Sequence, residues 1–372
     1  MRIKNARIFI DKTFVDTDIW FDKIIRNIGN LDGAVDLDAE GSYLIPGLVD
    51  IHTHGAVGED FSDGSPTGLQ LMSDYYAAHG VTSYLATTMT LKEEVLTAAM
   101  RALRDFKPIR GAKCAGIHLE GPFLNRAKRG SQAAGNLHKP DSALFDRLNK
   151  ASGGQIKMVT VACEEEGAME FISHAADKAT VSLGHTSCTY EQAMEAFAQG
   201  ASHVTHLFNG MNPLHHRSPG MVAAAMDSGA SVELICDGFH VHPAVIRLAH
   251  RLYGDRLNLI SDSLRCADMP DGNYDLGGQP IVVEHGKASL PDGTLAGSSI
   301  SLLDALRNAV KFGIPLPDAV YAASTAPALA AGLSSVGSIQ VGKCADFLLL
   351  DHNLRLQAVF IDGVSQTIQT SL

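Results

Sequence analysis

Pro46-Gly47-Leu48-Val49-Asp50-Ile51-His52-Thr53-His54 is an apolar run that ends in two histidines. Entered through the Pro46-Gly47 pair, it reads as the end of a buried β-strand. Side chains two apart on a strand share a face, so His52 and His54 present two imidazoles to one side. Neutral imidazole is the commonest protein ligand for metals such as zinc. Two imidazoles at a strand tip are half of a metal site. In a chain with 16 His such a pair also arises by chance, so the placement of the other polar residues has to decide.

Working outward, the same strand-then-helix rhythm recurs. Candidate strands lie at 47–52, 81–87, 114–119, 156–162, 180–184, 202–206, 231–236 and 257–261, and apolar residues at three- and four-residue spacing mark helices between them, as over 93–106 and 190–199. Eight strands alternating with helices over roughly 250–290 residues is what a (β/α)8 barrel of the TIM type requires. A doubly wound open sheet is the alternative. Its dinucleotide-binding form needs a Gly-x-Gly-x-x-Gly turn after the first strand, and none is present. Both ends of the chain differ from this middle. Residues 3–10 and 20–28 are β-like, with a turn-rich stretch at 29–33, and 337–366 repeats that character. The expected layout is a small β-sandwich domain made by 1–46 and 335–372, enclosing a barrel at 47–334.

Mapped on these strands, the reactive side chains gather at the C-terminal ends. Strand one ends in His52-Thr53-His54, strand three in His118-Leu119-Glu120, and strand five in Gly184-His185. Strand six ends in Thr205-His206, strand seven in Asp237-Gly238-Phe239-His240, and strand eight in Ser261-Asp262. That end is the active-site face of a (β/α)8 barrel, and the convergence favours a metal-dependent active site. Blander readings apply to some of these residues. His118 would sit deeper than Glu120 as a packed histidine, and His203 would lie on the opposite strand face as a structural one. His215, His216 and His242 fall in loops. Asp262 could cap a helix, yet a carboxylate at the eighth strand tip is well placed for proton transfer. Gly337 to Cys344 nearly fits a phosphate-binding loop, but Cys344 replaces the magnesium-binding hydroxyl and a strand follows instead of a helix, so it reads as a hairpin of the small domain.

Composition limits the rest. The 372 residues are 45% hydrophobic and 19% charged, ordinary for a soluble globular protein. No apolar run approaches the ~20 residues of a membrane span, and the start of the chain leads into a β-like segment, not a signal peptide. Six scattered Cys without a Cys-x-x-Cys pair imply reduced thiols, a cytoplasmic setting and no zinc knuckle. A net charge of −11 argues against nucleic-acid binding, and an anionic small substrate would need a local basic cluster.

The segments Pro46 to Gly55, His118-Leu119-Glu120-Gly121-Pro122, Gly184-His185-Thr186, His206-Leu207-Phe208-Asn209-Gly210-Met211, His215-His216-Arg217, Asp237-Gly238-Phe239-His240 and Ile260-Ser261-Asp262 together resemble the amidohydrolase superfamily, and within it the branch of N-acetylglucosamine-6-phosphate deacetylases. The likeness runs along almost the whole chain. It implies Glu120, His185 and His206 as principal metal ligands, with His52 and His54 for a second site that some members keep. One or two divalent metals per subunit follow, zinc first, with iron or manganese as alternatives. It further implies Asp262 as catalytic acid/base, Arg217 as the phosphate clamp, often supplied by the neighbouring subunit of a homodimer, Asn209 and Gly210 at the sugar and phosphate, and His240 at the sugar or acetyl carbonyl. The substrate so implied is a phosphorylated amino sugar, and neither nucleic acid nor membrane is a partner.

This chain also departs from the pattern. Gln132 stands where some relatives have a substrate-facing His, and Ser263 and Cys266 stand where Ala is usual. Ser187-Cys188 replaces the commoner Asp-Ala or Asn-Ala. Rival readings are an N-acetylgalactosamine-6-phosphate deacetylase, an amidohydrolase acting on N-acyl amino acids or cyclic amides, or an inactive barrel acting as a binding protein. The retained ligands and Asp262 weigh against the last.

Overall fold

The computed structural model describes residues 1–30 and 33–367. Leu31 and Asp32 of the expected turn and residues 368–372 of the expected C-terminal segment lie outside the described residues. Eight parallel strands, Leu48–Thr53, Val81–Thr88, Lys113–Glu120, Ile156–Val161, Thr180–Leu183, His203–Val204, Ser231–Ile235 and Leu257–Ile260, pair in sequence order as one sheet. The sheet nearly closes into a barrel. At the seam between the first and eighth strands, Asp262 N–H donates to His52 O (2.9 Å) and His54 N–H to Ser263 O (2.8 Å). Ser263 adds side-chain bonds to Thr53 Oγ1 (2.7 Å) and Gly55 O (2.9 Å), so the Ser departure stitches the seam. The closing bonds therefore lie beside the two histidines.

Helices cover the outside because their apolar faces need burial. Asp141 caps Ser142–Ala151, and Thr189 forms a capping box with Gln192 on Tyr190–Ala198. The fourth to eighth strands end one or two residues earlier than the sequence pattern suggests, and the first three end one residue later. His185, His206 and Asp262 have φ of 48°, 28° and 48°, so the chain leaves the ladder at these residues and turns their side chains over the barrel mouth. Non-glycine residues in this region are strained and recur at functional sites.

The terminal segments pair into one mixed sheet in the order Val364–Gln366, Leu356–Ile361, Phe347–Leu350, Tyr43–Pro46, Arg2–Ile10, Thr13–Phe21, Ile25–Ile28, with Leu37–Asp38 alongside Arg2–Ile10. The β-piece expected at 20–28 is instead two strands. Thr13–Phe21 hairpins onto Arg2–Ile10 through Asp11 and Lys12, both at positive φ, and the chain turns again at 22–24. The segment after Gly337 is a turn in this sheet, where Gly342 N–H donates to Ile25 O (2.9 Å), and strand Phe347–Leu350 follows it.

One insertion was not foreseen. Between the eighth strand and helix Leu302–Lys311 lies an antiparallel sheet of Gly272–Leu276, Gln279–Glu284 and Lys287–Ser289. Its alternating pattern and the Gly277-Gly278 turn are visible in the sequence. Asp262 thus leads into this insertion and caps no helix.

Candidate active site

Four imidazole Nε2 atoms and one carboxylate meet at the barrel mouth. Glu120 lies between two histidine pairs. Its Oε1 is 3.1 Å from His185 Nε2 and 3.0 Å from His206 Nε2, and these two nitrogens are 3.0 Å apart. Its Oε2 is 3.3 Å from His54 Nε2, while His52 Nε2 is 3.4 Å from Oε1 and 3.3 Å from His54 Nε2. Asp262 Oδ1 completes the set at 3.5 Å from His52 Nε2 and 3.4 Å from His54 Nε2. All six residues are buried.

The other ring nitrogens fix the proton positions. His52 Nδ1 faces Glu233 Oε2 (2.8 Å), His185 Nδ1 faces Lys128 O (2.8 Å), and His206 Nδ1 faces Asn209 O (3.2 Å). A carboxylate or carbonyl oxygen only accepts, so each of these Nδ1 atoms carries a hydrogen, and in the neutral imidazole the inward Nε2 is the lone-pair side. His54 Nδ1 has no partner among the described residues. Acceptors facing acceptors at these distances call for positive charge between them, and this donor set fits a divalent cation. The electrostatics agree. Burial lowers the basicity of His52 and His54, but Glu120, Asp262 and, for His52, Glu233 outweigh it, holding His52 well above the ordinary value and His54 up at about 9. Glu120 and Asp262 answer in the opposite direction. Burial raises them, the surrounding imidazoles outweigh it, and both are held below the usual carboxylate range.

Glu233 was missed by the sequence reading. Fully buried in the seventh strand, it accepts from His52 Nδ1, from His206 N–H (3.0 Å) and from His203 Nε2 (3.2 Å). Its signal was a lone carboxylate inside the apolar run Val232-Glu233-Leu234-Ile235. The expectation for His203 is corrected accordingly. It points into the same network as the site and not to the opposite face, because the backbone turns at His206 and breaks the two-residue parity. His118 is packed, bonded through Nδ1 to Ile51 O (3.0 Å) and through Nε2 to Thr160 Oγ1 (2.8 Å).

A cavity of about 270 Å³ opens over the cluster. Its lining includes Asn209, Gly210 and His240 beside the cluster. The lining also has apolar residues, Met89, Leu264 and the inserted sheet's Leu276. Gly297 closes against Asp262; a Cβ there would stand 2.5 Å from Asp262 O and 3.1 Å from its Oδ1. His240 holds Asp237 Oδ2 through Nδ1 (2.6 Å) and Ala296 O through Nε2 (2.7 Å). Two acceptors require two N–H donors, consistent with a pKa lowered by burial yet raised overall by Asp237. Gln132 lines the cavity, but its amide is engaged at both ends, donating to Glu120 Oε2 (2.6 Å) and accepting from Thr90 N–H (2.8 Å). Its observed contacts hold Glu120 in place. Arg217 does not line the cavity; it is exposed, with Nη1 2.7 Å from His216 Nε2. His215, His216 and His242 are exposed too, and His242 caps helix Pro243–Tyr253.

The sequence profile of the amidohydrolase family matches residues 43–370. An N-acetylglucosamine-6-phosphate deacetylase of Bacillus subtilis (strain 168) is 39% identical over 84% of this chain and 81% of its own length. An N-acetylgalactosamine-6-phosphate deacetylase of Escherichia coli O157:H7 is 36% identical over 88% of each. Among solved structures, a mutant N-acetyl-D-glucosamine-6-phosphate deacetylase from Mycobacterium smegmatis, in complex with N-acetyl-D-glucosamine-6-phosphate, superposes with a TM-score of 0.92 at 31% identity over 99% of both chains.

Proposed function

The chain belongs to the amidohydrolase family, and we propose that it removes acetate from N-acetyl-D-glucosamine 6-phosphate, leaving D-glucosamine 6-phosphate. The observation that carries this reading is the convergence of four imidazole Nε2 atoms on Glu120, with spacings of 3.0–3.4 Å, beneath Asp262. Glu120, His185 and His206 would hold one divalent cation. His52 and His54, with Glu120 beside them, would hold a second. A nitrogen and oxygen donor set suits zinc first and also admits iron or manganese. Such an ion supplies Lewis acidity, which makes water nucleophilic near neutral pH and polarises an amide carbonyl.

The protein's own groups do the rest. Asp262 is ionised, so it accepts a proton from the attacking water at Oδ1. It then delivers that proton to the amide nitrogen, because an amine leaves only when protonated. His240 carries two N–H groups and exchanges the Ala296 carbonyl for the substrate carbonyl oxygen, placing positive charge where negative charge develops. Asn209 and Gly210 face the sugar and its phosphate. Arg217 supplies the paired guanidinium hydrogen bonds a phosphate needs. Because it does not line its own chain's cavity, it serves the neighbouring subunit of a homodimer. Free cysteines and the lack, among the described residues, of a helix long and apolar enough to cross a membrane support a cytoplasmic enzyme.

The test is acetate release after chelation and metal add-back. The substrates are N-acetylglucosamine 6-phosphate, its 4-epimer, the unphosphorylated sugar and an N-acetyl amino acid. The reading stands if the gluco phosphate has the highest kcat/KM and chelation abolishes turnover. Preference for the 4-epimer would move the assignment to the galactosamine branch, and no release from any of the four would end it.

A further inference from the structure

The departure Ser187-Cys188 has no part in the chemistry above, and the fold gives it a neighbour. Cys188 follows the fifth strand and Cys163 follows the fourth, 25 positions earlier in the chain. The Sγ atoms of Cys163 and Cys188 and a carboxylate oxygen of Glu164 all lie within 4.8 Å of one another. Both thiols are buried, at 2% and 3% exposure, while Glu164 is half-buried and opens the group to solvent. Cys163 Sγ is also 4.0 Å from Thr186 Oγ1. We propose that Cys163, Cys188 and Glu164 form a second, thiolate-bearing cation site that takes a zinc-like ion.

The donor chemistry selects the ion. Two thiolates and a carboxylate suit tetrahedral, sulfur-accepting cations such as zinc, cobalt(II) or cadmium, not magnesium or calcium, which take oxygen shells. Tetrahedral zinc–sulfur bonds of about 2.3 Å place two sulfurs about 3.8 Å apart. Closing the cluster on an ion therefore needs movements of no more than about 1 Å. Glu164 accepts from Thr186 Oγ1, Ser187 N–H and Ser187 Oγ. Each carboxylate oxygen has two lone pairs, so one remains for an ion. The two thiols act on each other in opposite directions: Cys163 draws Cys188 below the ordinary thiol value, while Cys188 and burial hold Cys163 above it, so Cys188 is the first of the two to ionise for an ion. Spacing along the chain rules out a zinc knuckle, but the barrel supplies from two strand ends what no single Cys-x-x-Cys segment does. An ion here would tie the fourth-strand loop to the loop that carries His185.

The hydrolytic cluster contains no sulfur, so thiolate-to-metal charge transfer reports the new site alone. The full-length protein, kept reduced by a phosphine, is titrated with cadmium and followed by ultraviolet absorbance and elemental analysis. Wild type should develop the charge-transfer band and hold one cadmium per chain more than a Cys163→Ala/Cys188→Ala variant, which should lose the band. Cys188→Ser, which keeps size and polarity, guards against misfolding of the double variant and should weaken the band. Cys344→Ala, which alters the other cysteine near carboxylates, Asp346 and Asp362, should leave it intact. Absence of the band in wild type at saturation overturns the proposal, as does its survival in the double variant or its loss in Cys344→Ala.

Discussion

The barrel interior and the core of the terminal sheet are both buried layers between strands, yet they are filled by opposite chemistry. The terminal sheet packs Phe21 against Phe347 and Phe360 with ring centroids at 4.7 and 5.6 Å, among Ile3, Ile8 and Ile19. Inside the barrel stand Asp50, His118, Thr160, Ser182, Thr205 and Glu233, all buried. They are held by bonds such as Thr160 Oγ1 to Thr205 Oγ1 at 2.8 Å. Apolar burial is non-directional and tolerates neighbours of the right volume. A buried polar group must find a specific partner or cost stability. The difference teaches that this protein keeps its cohesion and its chemistry in separate compartments, and substitutions should separate them too.

The largest effect belongs to the mouth. Asp262→Asn should lower turnover by about 10²–10⁴-fold, the usual worth of a positioned general acid–base group. Its cation content, read by elemental analysis, should stay unchanged, since five other donors remain. Near-normal turnover would remove Asp262 from the proton path. Phe347→Ala tests the other compartment. Deleting a buried ring should cost about 3–5 kcal/mol in denaturant unfolding, while turnover per folded molecule stays near wild type. A fall in turnover with intact stability would show the two compartments to be coupled.

The same division explains what could be read from the sequence. The barrel was legible because its strands are apolar runs at regular intervals. Most of the site was legible because His52, His54, Glu120, His185, His206 and Asp262 sit where those runs stop. Glu233 was hidden because it lies within a run, where one carboxylate looks like noise until the partner His52, 181 residues away, is brought beside it. Asp237 was quoted only as part of a motif, and its hold on His240 is a matter of side-chain direction in a turn. The inserted sheet escaped because the pattern of eight strands was already complete at Ile260. Cys163 and Cys188 could not be joined by spacing at all.

Glu233→Gln probes the boundary between the compartments. The carboxamide preserves volume but removes the charge that faces His52 Nδ1, His206 N–H and His203 Nε2 together. Groups that orient metal-binding imidazoles are typically worth 10–100-fold in affinity or activity. Competition with a chelator should show a loss of that size, larger for the pair His52 and His54 than for His185 and His206. Wild-type affinity would reduce Glu233 to a packing role.

The mildest prediction concerns protons. Burial and the neighbouring His52 push His118 down to about 3, outweighing the opposing pull of Glu233 and Glu120. In the folded protein it is therefore neutral, donating from Nδ1 to Ile51 O and accepting at Nε2 from Thr160. An unfolded chain protonates this histidine below about 6.5. Between that value and about 3 the unfolded state binds one proton more than the folded state, so His118 makes stability fall as pH falls, by up to about 1.4 kcal/mol per pH unit. His118→Asn keeps a donor for Ile51 O and cannot titrate. Its unfolding free energy, measured from pH 6.5 downward, should decline less steeply than that of wild type by up to this amount. Phe347→Ala, which changes no titrating group, should keep the wild-type slope at lower absolute stability. Equal slopes for His118→Asn and wild type would mean that His118 is protonated in the folded barrel, and that the polar interior accommodates charge below its catalytic layer as readily as within it.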